Sequence, residues 1–128
     1  MSNNIIAFEG DRTVFKELLK LNTGVFIFQF TAEWCKPCKM ISPHVDVAVA
    51  SLPVNVVYFF RVDVDVNFDL YAYLKQKKMV SGIPTLLAYK KGNVDFASDD
   101  SHSGSDINAL NEFFSRCITP TEKKNETN

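Results

Sequence analysis

Val25 to Phe30 reads Val-Phe-Ile-Phe-Gln-Phe, an apolar run broken only at Gln29. Successive side chains of a strand point to opposite faces, so a strand with no polar alternation needs cover on both sides. Helices on the two faces of a sheet supply that cover, which constrains the chain to a layered α/β domain with a mixed central sheet. Immediately downstream lies Trp34-Cys35-Lys36-Pro37-Cys38-Lys39.

The remaining elements fit around this strand. Ile5, Ile6 and Phe8 predict a short strand over Asn4 to Phe8. Val14, Phe15, Leu18, Leu19 and Leu21 predict a helix over Thr13 to Leu21, with Asp11 as its cap and Asn22 to Gly24 as its stop. A longer helix runs from Cys35 to about Ser51, kinked by Pro43, and a strand follows over Val54 to Val64. Phe68 to Met79 is expected as a helix with Phe68, Tyr71 and Leu74 on its inner face. Thr85 to Tyr89 and Val94 to Ala97, joined by Lys90 to Asn93, read as a hairpin, and Ser98 to Ser105 as a solvated loop. Asp106 to Cys117 closes the domain as a helix with Ile107, Leu110, Phe113 and Phe114 inward. Residues 1–118 thus form one domain, and the polar stretch 119–128 is expected to be a disordered tail.

Two cysteines three positions apart can close into a disulfide and reopen. At a helix start, free backbone N–H groups favour a thiolate on the first of them, so Cys35 is the expected nucleophile, exposed and ionised at neutral pH. Cys38, one turn inward, is the resolving thiol that attacks Cys35 after a mixed disulfide has formed. Pro37 suits the first turn, where its missing N–H leaves no bond unmade, and Lys36 adds a positive charge. A zinc site would need four ligands, and beyond the pair only Cys117, His44 and His102 are available, without a second Cys-x-x-Cys. No metal is expected. An inert disulfide or two idle buried thiols are the bland alternatives.

Phe30-Thr31-Ala32-Glu33-Trp34-Cys35-Lys36-Pro37-Cys38-Lys39 resembles the active-site segment of the thioredoxin family, and Ser81-Gly82-Ile83-Pro84-Thr85-Leu86-Leu87 resembles its second signature. The resemblance runs from about Ile5 to Cys117. It implies the thioredoxin fold, a cis peptide before Pro84, and a loop whose backbone pairs with an extended substrate segment, Ile83 supplying the pairing groups. It also implies that Trp34 and Thr31 shape the rim, and that Gly104 borders the substrate groove. The chain departs from the family pattern at three positions: Lys36 where glycine is usual, Gln29 where a buried aspartate is usual, and Thr31 where tryptophan is common. Gln29 cannot ionise and so cannot serve as the proton acceptor credited to that aspartate. Arg61 stands where the family has a neighbouring lysine, and without the buried acid it should turn to solvent or to another carboxylate. Lys36 should stabilise the Cys35 thiolate and make the couple more oxidising than a typical reducing member.

The 128 residues are 46% hydrophobic, enough for one core without a disulfide scaffold. Three cysteines, one working pair and a packed Cys117, suit an intracellular, cytoplasmic protein, as does an N-terminus without a signal-peptide pattern. A net charge of −1 with interspersed signs gives no electrostatic case for nucleic acid, and no apolar stretch suggests a membrane span. The expected function is a thiol-disulfide oxidoreductase that reduces protein disulfides as a monomer. It would need no bound cofactor beyond the Cys35-Cys38 disulfide, and an external thioredoxin-reductase-like donor would recycle it. A more oxidising oxidase or isomerase, and a non-catalytic binding module on the same fold, are the competing readings.

Overall fold

In the computed structural model, which describes residues 4–118, the chain alternates strand and helix before ending in an antiparallel pair and a final helix. The elements are β1 (Ile5–Ala7), α1 (Arg12–Leu19), β2 (Val25–Thr31), α2 (Lys36–Ala50), β3 (Val57–Asp63), α3 (Phe68–Gln76), β4 (Thr85–Lys90), β5 (Asp100–Ser103) and α4 (Ile107–Ile118). They build one sheet in the order β1-β3-β2-β4-β5, in which β1, β3 and β2 are parallel and β4 and β5 antiparallel.

The strand β2 lies in the middle of this sheet and feeds both layers. Phe26, Phe28 and Phe30 join Phe15 and Leu19 of α1 and Leu70, Tyr73 and Leu74 of α3. Ile27 points the other way, into Ile41, Val45 and Val49 of α2 and Leu110, Phe113 and Phe114 of α4. Strand alternation therefore puts Gln29 and Thr31, two and four residues past Ile27, on the α2 side. No helix among the described residues is long and apolar enough to cross a membrane.

Local signals set most of the boundaries. The Asp11 carboxylate accepts from the Thr13 and Val14 N–H groups at 3.0 and 3.1 Å, so α1 begins where its cap demands. Gly24 is required because a Cβ there would collide with the Val56 carbonyl oxygen beside the start of β2.

Three expectations need correction. The helix α3 stops at Gln76, short of Met79, and its buried residues are Leu70, Tyr73 and Leu74, with Phe68 68% exposed. Lys78 takes a left-handed φ of 65°, which ends the helix before the Met79 turn. The partner of β4 is Asp100–Ser103, inside the expected loop, and Val94 to Ala97 is irregular. Side chains hold that segment off the sheet: Asn93 Nδ2 donates to the Ala97 carbonyl, the Tyr89 hydroxyl to the Phe96 carbonyl, and the Lys90 N–H to Asp99 Oδ2. The first three residues of the strand expected over Val54 to Val64 form a turn, with Asn55 at φ 67°, so β3 starts at Val57. The expected tail lies outside the described residues.

Candidate active site

At the end of β2 the chain turns through Ala32 to Trp34, and Cys35 takes the extended N-cap conformation, φ −87° and ψ 109°. Lys36 and Pro37 then open α2, so the first turn contains one residue with no N–H to satisfy. The Cys38 N–H points back at Cys35 Sγ, 3.2 Å away, in the position where a serine or aspartate oxygen usually caps a helix. The two sulfurs are joined in a disulfide. Breaking that bond leaves charge on a sulfur that already faces a backbone donor and the positive end of the helix macrodipole.

Cys35 and Cys38 are each only 3% exposed, which corrects the expectation that Cys35 stands open to solvent. The N-cap conformation folds the side chain over the helix start, and the Ile83 carbonyl oxygen lies 3.9 Å from Cys35 Sγ. Exposed Trp34 precedes the pair in sequence, and exposed Lys36 and Pro37 lie between the two cysteines.

Ile83 and Pro84 reach the disulfide from the loop before β4, and their peptide bond is cis. Thr85 Oγ1 donates to the Gly82 carbonyl at 2.7 Å and fixes the turn that leads into it. Gly104, between β5 and α4, donates its N–H to the Pro84 carbonyl at 3.0 Å. Cys35, Ile83, Pro84 and Gly104 are thus linked into one neighbourhood, although they come from three separate connections.

Gln29, Thr31 and Arg61 lie together on the other side of the pair. They line an open cleft of about 340 Å³ with Cys38, Ser42 and Asp63 among its walls. Thr31 therefore belongs with Cys38 and the cleft, while Trp34, Ile83, Pro84 and Gly104 do not line it. Gln29 and Arg61 are in register on β2 and β3, and Arg61 Nε donates to Gln29 Oε1 at 2.7 Å. The guanidinium continues to Asp46 on α2 at 3.3 Å, the alternative carboxylate expected for a cation that lacks a buried counter-charge. A neutral amide beside Cys38, anchored by a cation, can donate or accept a hydrogen bond but cannot take up a proton. Among the described residues, no group of three or more His, Cys, Asp or Glu side chains is arranged to hold a metal ion.

Sequence reasoning missed two contributors. Asp65 accepts the Trp34 indole N–H at 2.8 Å and holds a ring that is otherwise 66% exposed. The contact follows from the sheet, because Thr31 pairs with Asp63 in parallel register and the loops leaving adjacent parallel strands emerge side by side. Asp46 was harder to find, since its pairing depends on the rotation of α2 over the sheet.

Comparison with known proteins agrees with this geometry. The thioredoxin family model matches residues 7–115. A Pseudomonas aeruginosa thioredoxin is 34% identical over 110 residues, covering 86% of this chain and 95% of that protein. Arabidopsis thaliana thioredoxin H5 is 40% identical over a shorter stretch, 55% of this chain and 54% of its own length. Among solved structures, Trichomonas vaginalis thioredoxin superposes with a TM-score of 0.72 at 25% identity, covering 90% of this chain and 98% of the other. With a capped Cys35-Cys38 disulfide on this sheet and a family match across most of its length, the chain belongs to the thioredoxin family and is a thiol-disulfide oxidoreductase that reduces disulfides.

Proposed function

We propose that the Cys35 thiolate attacks a protein disulfide, forming a mixed disulfide and releasing one substrate thiolate. Cys38 then gives up its proton and attacks Cys35, which releases the second substrate thiolate and closes the Cys35-Cys38 bond. Two electrons pass to the substrate, and an external reductase of the thioredoxin-reductase kind returns them. The single observation that carries this assignment is the Cys38 N–H facing Cys35 Sγ at 3.2 Å. It supports Cys35 as the sulfur stabilised as an anion.

The substrate chain lies extended against the Ile83 backbone, aligned by Pro84 and bordered by Gly104, with Trp34, Lys36 and Pro37 forming the exposed rim. Thr31, Gln29 and Arg61 act from the cleft and tune Cys38. One observation favours a more oxidising couple as a second reading: Gln29, held by Arg61, is a neutral amide that cannot take up the Cys38 proton, which leaves the cleft's carboxylates to Glu33 and Asp63. The protein works as a monomer in the cytoplasm, supported by an odd cysteine count with Cys117 free and buried.

A Cys38→Ser variant should accumulate mixed disulfides with client proteins that dithiothreitol releases, and Cys35→Ser should accumulate none. Equal trapping by both variants would overturn the assignment of nucleophile and resolving thiol.

A further inference from the structure

The short strand β5 reads Asp-Ser-His-Ser, and its one buried residue is His102, 7% exposed. A valine or leucine there would bury apolar surface without desolvating a polar group, so a histidine is favourable only where its ring N–H has a partner. The partner is the Gly104 carbonyl oxygen, 3.0 Å from His102 Nε2. A carbonyl only accepts, so the proton sits on Nε2. Register opposite Leu86 and a tilted contact with Phe113, at 6.4 Å between ring centres, hold the imidazole in place.

Gly104 is the residue in this part of the chain most in need of holding. Its φ is +94°, and a Cβ placed on it would meet nothing within 4 Å, so neither its own backbone preference nor its surroundings restrict it sterically. Two hydrogen bonds restrict it instead, from His102 to its carbonyl and from its own N–H to the Pro84 carbonyl at 3.0 Å. A third tie runs parallel to them. Thr85 Oγ1 spends its proton on the Gly82 carbonyl at 2.7 Å, so Ser103 Oγ must be the donor in the 3.2 Å contact between the two hydroxyls. Consecutive residues of β5 thus reach the same loop, His102 through Gly104 and Ser103 through Thr85.

We propose that His102 is a positioning residue for protein substrates: its Nε2–H fixes the Gly104 peptide so that Gly104 and the Ile83-Pro84 backbone present a ready-made edge to the extended chain flanking a substrate disulfide. This rests on the reading that the Ile83-Pro84 backbone pairs with substrate. Freezing a glycine before binding removes an ordering cost from the binding step, on the order of one residue's backbone entropy. The effect is confined to substrates that have a backbone to pair. The sulfur chemistry at Cys35 is untouched.

The test compares two disulfides that differ in that respect: a peptide with extended residues on both sides of its disulfide, and 5,5′-dithiobis(2-nitrobenzoate), which has no peptide backbone. In His102→Leu, the KM for the peptide should rise about five- to tenfold, with its kcat and the rate on the small disulfide unchanged. His102→Gln, whose Nε2 amide can reach the same carbonyl, should restore most of the affinity. His102→Asn, one bond too short, should behave like the leucine variant and serves in its place if leucine impairs folding. An unchanged peptide KM, an equal loss on both substrates, or failure of glutamine to rescue would overturn the proposal. Wild-type protein with no lower KM for the peptide than for the small disulfide would sink the backbone-pairing reading and this inference with it. A wild-type preference that survives in His102→Leu sinks the role of His102 alone.

Discussion

Cys35 stands at the N-cap of α2 and Cys117 in the last turn of α4, so the same side chain meets opposite ends of two helices. Around Cys35 an N–H group is directed at the sulfur, and the helix macrodipole presents its positive end. Around Cys117 the helix presents carbonyls, the side chain is 7% exposed, and Phe113 and Phe114 share its cluster. Burial pushes the Cys117 thiol up to about 12, and the charge of Asp100 pushes the same way. A thiolate is stabilised in one place and suppressed in the other. Burial alone does not separate the two, since Cys35 is at least as covered as Cys117. What differs is the direction of the backbone dipoles around the sulfur.

The strongest way to break this comparison is to exchange one sulfur at a time. Cys35→Ser should reduce dithiothreitol-driven insulin reduction to the uncatalysed rate, whereas Cys117→Ala should stay within about twofold of wild type and lose roughly 1–2 kcal/mol of stability to the small cavity. Comparable losses of activity in both variants would mean that Cys117 takes part in the chemistry.

A smaller effect sharpens the Cys117 side. Its folded-state thiol holds the proton up to about pH 12, while the unfolded chain releases it near 9. The stability this contributes is fully present below pH 9 and is lost as pH rises towards 12. Urea midpoints of wild type should therefore fall more steeply than those of Cys117→Ala across that interval. Parallel slopes would remove the contrast.

The smallest effect concerns Lys36. Its side chain is exposed, so screening reduces its influence on the Cys35 thiolate. Lys36→Gly should lower the reduction potential by about 10–20 mV in a glutathione equilibrium, from a wild-type value above the ~−270 mV of thioredoxin. An unchanged potential would leave the backbone N–H and the dipole as the whole source of thiolate stabilisation.

Legibility followed hydropathy and local chemistry. A continuous apolar run announces a strand buried on both faces, and a cysteine pair beside proline announces a helix start, so β2 and the Cys35 cap could be anticipated, whereas the cis Ile83-Pro84 peptide was implied by the family resemblance alone. The edge of the sheet could not. In β5 the inward residue is a histidine and its neighbours are serines, which gives hydropathy nothing to detect, while the apolar Val94 and Phe96 lie in a segment that side-chain hydrogen bonds keep irregular. Phe68 misled for a related reason. Its apolar character suggested an inner face through Phe68, Tyr71 and Leu74, of which Leu74 is buried, but Leu70 and Tyr73 complete that face instead. The Arg61 pairing with Gln29 and Asp46 needed the in-register placement of β2 and β3 and the lie of α2, which no local pattern encodes.

The claim beneath all of this is that Cys35 is an anion at neutral pH because of where α2 begins. Alkylation of the reduced protein with iodoacetamide across pH, followed by mass spectrometry at Cys35, measures it directly. The account predicts half-maximal reactivity at or below about pH 7.5, clearly under the ~8.5 of free cysteine. A titration at the free-cysteine value, with no Cys35-Cys38 bond in the oxidised protein by peptide mapping, would contradict it.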